Sequence, residues 1–299
     1  MKKLKYMYYR FMWTIAPLLP NGKLVHVDIE LNNNCNQRCL SCWHSKNKLP
    51  FKIKQMNLFN VYRILRESRN MGALSVKFNL RGEPTLYKNL VDVISYAKYQ
   101  GFVDIMINTN GILLDLEFAR KLSKAGLTTC IISVDSLWDE NYCYIHNCSS
   151  KDYFKLMTNL GDLHVFTKYK EIAFKTKLNF HINTYNQNEN FAEYAKKFYM
   201  FGIVTRYTEQ REGHDITIER ESRKRKKMCP QMKRRLTITA DNKIYPCCVC
   251  YLEPQDIQLV GDRVDAAWIS EKRKKLIKDY KKKIYTESCK NCTSGDIWK

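Results

Sequence analysis

The chain has 299 residues, enough to bury a sizeable core in one large domain or two smaller ones. Its 51 Lys and Arg outnumber 30 Asp and Glu, and the net charge of +21 suits anionic partners, although lysines scattered over a solvated surface give the same balance. Twelve cysteines with no clean secretion signal argue against a disulfide-stapled secreted scaffold and point to metal in a reducing, cytoplasmic setting.

Residues 1–21 read as a lead-in. They have a basic start and a semi-apolar run from Phe11 to Pro20 that Arg10 and Pro17 interrupt, too short to cross a bilayer. Weak peripheral membrane contact through its aromatics and lysines is one reading of this stretch. An apolar alternating run, Val25 to Leu31, is the first strand. A helix is expected from about 55 to 70, with Leu58, Val61, Ile64 and Leu65 on one face and Gly72 closing it. Strands are expected at 74–80, 103–107, 128–135, 175–182 and 203–208, and helices near 90–99, 116–125, 152–163 and 189–199.

Strand and helix thus alternate about six times, the pattern of parallel strands with crossover helices. Six units are too few for a closed eightfold barrel, so the expected fold is α/β, a partial (β/α)6 TIM-like barrel over residues 22–215. The basic segment 219–235 reads as a linker into a small α+β domain, 216–299. There Leu236–Thr239 and Lys243–Tyr245 flank Ala240-Asp241-Asn242 as a hairpin, followed by an amphipathic helix near 265–282.

Three cysteines follow the first strand and the triplet Asn32 to Asn34: Cys35, Cys39 and Cys42, spaced C-x3-C-x2-C. Three thiolates can hold three corners of a four-iron cluster and leave the fourth iron open to another ligand. A buried thiol trio, a zinc site borrowing His44, and disulfides are the alternatives that spacing leaves open. Two turns, Arg81-Gly82-Glu83-Pro84 and Asn108-Thr109-Asn110-Gly111, follow the next two strands, and Ser133-Val134-Asp135 ends the fourth. Chemistry in parallel sheets sits at the carboxyl ends of strands, so these segments should meet at one mouth.

These motifs, in this order, resemble the radical S-adenosylmethionine (SAM) superfamily over roughly residues 22–210. The resemblance implies that Cys35, Cys39 and Cys42 hold a [4Fe–4S] cluster and that Gly82, Glu83 and Pro84 form the turn receiving the SAM amino group. Asn108, Asn110, Ser133 and Asp135 stand where the family places ribose and methionine contacts. The chain departs from the pattern at Arg81, where a glycine is frequent, at Ser41, where an aromatic is usual, and at His146, near the place of a SAM-carboxylate arginine. The implied chemistry is reductive cleavage of SAM to a 5′-deoxyadenosyl radical that takes a hydrogen atom from the substrate. An external electron donor such as flavodoxin or ferredoxin follows from that chemistry.

Cys229, Cys247, Cys289 and Cys292 resemble the twitch module, a shortened SPASM auxiliary-cluster domain of the aminocyclitol dehydrogenase type. Asn242 stands where that motif has glycine, a mild swap because Asn tolerates the left-handed backbone. Four cysteines also make a closed zinc site, and Cys248 and Cys250 beside Cys247 leave the ligand register open. The resemblance implies a second [4Fe–4S] cluster, closed to substrate, that accepts an electron. The expected function is therefore a SAM-dependent oxidoreductase that dehydrogenates a small polar metabolite, anionic or neutral. Other readings are modification of a ribosomal peptide, of RNA or of a nucleotide, and an epimerase in which Cys143 or Cys148 donates a hydrogen atom. A non-enzymatic zinc protein that binds nucleic acid is a further one, but no RNA-binding module signature is present. Arg81, His146, His181 and His214 carry no assigned catalytic role, and the basic run 272–283 reads as a solvated helix face.

Overall fold

The computed structural model describes residues 2–45, 49, 51–136, 138–207, 229–248, 258–259, 262–286 and 289. Six parallel strands lie side by side in chain order: β1 (His26–Ile29), β2 (Ser75–Phe78), β3 (Asp104–Thr109), β4 (Thr129–Ser133), β5 (Lys175–Ile182) and β6 (Gly202–Tyr207). The crossovers are α2 (Leu58–Asn70), α3 (Leu90–Tyr99), α4 (Leu116–Ala125), the pair α5 (Asp139–His146) and α6 (Ser150–Lys168), and α7 (Phe191–Lys197). This is the expected partial (β/α)6 barrel. Rungs of the sheet are built from buried branched and aromatic side chains, Val27 beside Val76 beside Ile105 and Ile29 beside Phe78 beside Ile107. Cys130, next to Ile107, is fully buried among them.

Local sequence sets the helix ends. Asn57 caps α2 by accepting from the Phe59 amide at 2.9 Å, and Val61, Ile64 and Leu65 turn inward, each worth roughly 1.5–3 kcal/mol of apolar burial. Asp115 caps α4, and Gly126 at φ +110° ends it with a left-handed residue.

Several features differ from expectation. The lead-in is a helix, α1 (Lys2–Ile15), because Arg10 lies on its solvent side and Pro17 falls in the short 3-10 turn after it. α5 has no counterpart among the expected helices. β1 is buried at all four positions, so its alternation does not mark a solvent face: both sides of a parallel sheet are covered. Its polar residues are partnered inside, with His26 Nε2 3.3 Å from Asp28 and Arg235 Nε 3.3 Å from Asp28.

The hairpin strands β7 (Arg235–Ile238) and β8 (Ile244–Tyr245) continue the barrel's own sheet. β7 pairs parallel with β1, Val27 beside Leu236 and Ile29 beside Ile238, and β8 pairs antiparallel with β7, giving eight strands in the order β6-β5-β4-β3-β2-β1-β7-β8. Asn242 adopts φ +61°, the left-handed turn anticipated there. The boundary expected at 215/216, His214 and most of the basic linker lie outside the described residues.

The C-terminal helix is two, α8 (Val264–Ile269) and α9 (Glu271–Lys281), divided at Ser270, whose hydroxyl caps α9 through the Arg273 amide. Arg273 does not belong to a solvated face. It is buried, stacks 3.4 Å from the Trp268 ring centroid, and donates to the carbonyls of Trp268, Asn21 and Met232. Burial lowers its pKa to about 10.

Candidate active site

The cysteine loop leaves β1 through the asparagine triplet, whose side chains act as backbone partners. Asn32 donates to the Glu83 carbonyl at 3.0 Å and accepts from the Asn34 amide; Asn33 clasps Lys52 and Lys54; Asn34 accepts from the Cys35 amide at 3.0 Å. Cys35, Cys39 and Cys42 are half-buried and close enough to repel as thiolates. Burial, first, and that mutual repulsion push the Cys39 thiol up, and burial takes Cys35 to about 12. Cys35 and Cys39, adjacent thiols that resist ionising alone, fit a site in which iron supplies the compensating charge. Among the described residues no three His, Cys, Asp or Glu side chains converge on one point, as the ligands of a single ion do. A cubane offers a separate iron to each thiol and asks for no such convergence. His44, the ligand a zinc site would borrow, hydrogen-bonds through Nε2 to the Arg81 carbonyl at 3.1 Å.

The Arg-Gly-Glu-Pro turn sits against this loop. Leu80, just before it, is held at φ +103°, a costly conformation for a branched side chain. A Cβ on Gly82 would fall 2.2 Å from the Asn32 carbonyl oxygen and 2.7 Å from that of Asn34, so only glycine lets the two segments touch. Arg81 donates from Nε to Glu30 Oε1 at 2.8 Å and from Nη2 to Oε2. Glu30 is fully buried and also accepts from the amides of Arg81 and Ala240. The arginine in place of glycine is therefore a structural partner for a carboxylate at the end of β1.

Glu83 ties two strand ends together. Its Oε1 accepts from Thr109 Oγ1 at 2.6 Å and from Thr85, and its Oε2 from the Asn110 amide at 2.8 Å. Burial raises its pKa against the pull of those hydrogen bonds. Pro84 opens a short 3-10 turn and is buried. Asn110 reaches the cysteine loop, donating to Asn36 Oδ1 at 2.7 Å, and Asn108 is half-buried within β3. Ser133 ends β4, and Asp135 follows in the left-handed region at φ +58°. Burial alone would raise the Asp135 carboxyl, but His181, with Nδ1 at 3.1 Å, and His146, with Nε2 at 3.3 Å, hold it far below the usual range. The cysteine loop, the two turns and the end of β4 thus meet at the carboxyl ends of β1 to β4, as expected.

Sequence reasoning missed the role of α5. Gln37 donates to the Tyr142 hydroxyl at 2.9 Å, the Leu40 amide to the Ile145 carbonyl at 2.8 Å, and His146 Nδ1 lies 3.1 Å from Cys39 Sγ. His146 also stacks on Tyr142, with centroids 4.2 Å apart. The signal available was its place just after β4. Cys143 and Cys148 pack against the main core, with Cys148 near Cys39 and its thiol raised to about 12 by burial.

Cys229, Cys247 and Cys289 gather in one apolar patch with Met232, Tyr245 and Tyr280, against which Leu80 also packs. Cys248 faces elsewhere: Arg235 Nη1 donates to its Sγ at 2.7 Å. Of these two neighbours, Cys247 and not Cys248 shares the patch. Cys292 and Cys250 lie outside the described residues.

Comparison with known proteins agrees with this geometry. The family model of the radical SAM superfamily matches residues 29–197, and that of the SPASM iron–sulfur cluster-binding domain matches residues 229–293. The first covers more than half of the chain, which belongs to the radical SAM superfamily. SAM and [4Fe–4S] clusters, an auxiliary one included, are the cofactors of such an enzyme, which needs a reductant.

Among its relatives, the GTP 3′,8-cyclase of Aquifex aeolicus is 29% identical over 185 residues, 60% of this chain and 55% of that protein. A probable GTP 3′,8-cyclase of Methanococcus maripaludis is 34% identical over 109 residues, 36% of each chain. The chain thus matches from about a third to just over half the length of these relatives. Among solved structures, BtrN in complex with AdoMet and 2-DOIA superposes with a TM-score of 0.55 at 16% identity, covering 90% of this chain and 93% of BtrN. Native anSMEcpe with bound AdoMet gives 0.65 at 15% identity, covering 90% and 87%. At these identities the likeness is one of fold. Among the described residues no helix is long and apolar enough to cross a membrane.

Proposed function

We propose that the chain is a SAM-dependent dehydrogenase of a small polar metabolite. Cys35, Cys39 and Cys42 would hold the cluster that binds SAM, with Gly82, Glu83, Pro84, Asn108, Asn110, Ser133 and Asp135 around SAM. Cys229, Cys247, Cys289 and Cys292 would hold the auxiliary cluster. Bound there, SAM and its cluster supply hydrogen-atom abstraction, and the auxiliary cluster supplies an acceptor for one electron. The substrate then loses a hydrogen atom, a proton and an electron, a two-electron oxidation.

The observation that carries this reading is the gathering of Cys229, Cys247 and Cys289 in one patch, with Cys292 as the fourth cysteine the sequence offers. Four thiolates leave no open iron for substrate, and three of them share the apolar patch that Leu80 joins to the end of β2. The protein's own part is orientation: the Asn32–Glu83–Asn110 bonds fix the strand ends, and the Glu30–Arg81 pair ties the SAM turn to the hairpin preceding Cys247. Flavodoxin or ferredoxin would supply electrons from outside. The superposition with BtrN along nearly its whole length supports the two-module layout.

A nucleotide substrate is the second reading, favoured by the GTP cyclase relatives and by the net charge of +21. Anaerobic reconstitution should give about eight irons per chain, and the Cys35→Ala/Cys39→Ala/Cys42→Ala variant should lose half of them and all SAM cleavage. Zinc in place of iron, or SAM cleavage surviving in that variant, would overturn the proposal. Substrate-stimulated SAM cleavage, measured across amino sugars, cyclitols and nucleotides, separates the two readings; a product two hydrogens lighter than its substrate marks dehydrogenation.

A further inference from the structure

α1 has two apolar faces. On one, Tyr9, Met12 and Ala16 are buried with Val25, against Leu74 and Val103. Val25, Leu74 and Val103 immediately precede β1, β2 and β3, so α1 lies across the amino-terminal ends of the strands, at the opposite end from the cysteine loop. Arg234, just before β7, fastens it there: the guanidinium stacks 3.9 Å from the Trp13 ring centroid and donates to the Trp13 carbonyl at 2.7 Å.

The other face is bare. Leu4, Met7, Tyr8 and Phe11, at i, i+3, i+4 and i+7, are 71%, 58%, 50% and 57% exposed, and Leu18 beyond them is 74% exposed. That is one continuous apolar stripe on a helix already anchored by its other side. Residues 1–27 carry Lys2, Lys3, Lys5, Arg10 and Lys23 and no Asp or Glu. Lys175, the first residue of β5, adds a cation at the same end, its Nζ 5.2 Å from the Tyr6 ring centroid.

We propose that the outward face of α1 docks this protein on an anionic lipid bilayer, with Leu4, Met7, Phe11 and Leu18 entering the acyl boundary and the flanking lysines meeting lipid headgroups. An apolar ridge edged with lysine and bearing aromatics is the chemistry that binds such an interface. Charge decides against a second copy of this chain, because pairing two such faces would set like charges together in a molecule already at +21. A helix of 14 residues lies on the surface and does not span. Docked by this end, the enzyme would keep its cysteine-loop mouth turned away from the bilayer.

The test is co-sedimentation of the full reconstituted protein with phosphatidylcholine vesicles and with vesicles carrying about a third phosphatidylglycerol. Binding is expected on the anionic vesicles, weakening as salt rises. Phe11→Ser and Leu4→Ser, which leave the charge unchanged, should each weaken it about tenfold. Lys3→Gln and Lys5→Gln should each weaken it about fivefold. All four should keep wild-type iron content and SAM cleavage. No binding to anionic vesicles at low salt overturns the proposal. So does equal binding by both serine variants, which would reduce the effect to net charge. A concentration-dependent dimer abolished by Phe11→Ser would assign the face to a second copy and also overturn it.

Discussion

Glu30→Ala tests the link between the two cysteine modules most directly. Glu30 is fully buried and accepts four hydrogen bonds: Nε, Nη2 and the amide of Arg81, and the amide of Ala240. Its removal strips the guanidinium of a bidentate acceptor and leaves two amide donors to find others. Breaking a buried ion pair by deleting one partner costs roughly 3–5 kcal/mol. Asp241, 3.6 Å from Arg81 Nη2, and the Phe51 ring, 4.7 Å from the guanidinium carbon, retain part of the compensation, while the stranded amides add to the loss. About 4 kcal/mol is the expected total. With an unfolding entropy of about 2.1 cal/mol/K per residue over 299 residues, that is a fall in Tm of about 6 °C. Thermal melts of Glu30→Ala, Arg81→Met and the double variant form a cycle, and the double variant should be less damaged than the sum by at least about 2 kcal/mol. Strict additivity, or a Tm within about 2 °C of wild type for Glu30→Ala, would refute the reasoning.

The cysteine assignment predicts that Cys247→Ser loses the iron of one cluster while Cys248→Ser keeps the full complement, read by iron analysis; the reverse result would place Cys248 in the ligand set. His146→Phe should lower the midpoint potential of the cluster proposed at Cys39 by tens of millivolts, since a hydrogen bond to a ligating sulfur favours the reduced state and tenfold in a one-electron equilibrium is about 59 mV. An unchanged potential in an EPR-monitored titration would remove His146 from that role. Burial would raise the Asp28 carboxyl, but Arg235 and His26 win and hold it at about 2, below its ordinary 3.8. A depressed carboxylate stabilises the fold above its unfolded pKa and loses that contribution as pH falls through the folded one. Asp28 should therefore contribute about 2 kcal/mol above pH 4 that fades toward pH 2. Asp28→Asn should flatten the acid limb of the Tm–pH curve, and an unaltered limb would count against this.

The candidate site was legible because its signals are local. A cysteine spacing, a Gly-Glu-Pro turn and an Asn-Gly turn each declare their own geometry, and strand–helix alternation places them at one end of the sheet. What escaped depends on partners distant in sequence. Nothing in Leu236 to Thr239 says that β7 lies against β1, because an apolar strand looks the same whatever it pairs with. α5 is short and mixes aromatic with polar residues, so its contacts to Gln37, Leu40 and Cys39 have no periodic signature. Ser270 sits inside an unbroken helical pattern, yet its hydroxyl ends one helix and starts the next. Arg81 looked like a departure from a motif only because Glu30, 51 positions earlier, could not be seen as its partner.

The parallel pairing of β1 with β7 also has a consequence for biosynthesis. His26 and its partner Arg235 are joined across more than two hundred residues, so a ribosome releases the first cysteine loop long before the strand that flanks it exists. Until β7 arrives, one side of β1 is an open edge of unpaired backbone groups just before the three cysteines. A nascent chain stopped short of β7 would present that edge to chaperones, and only the finished chain can cover it.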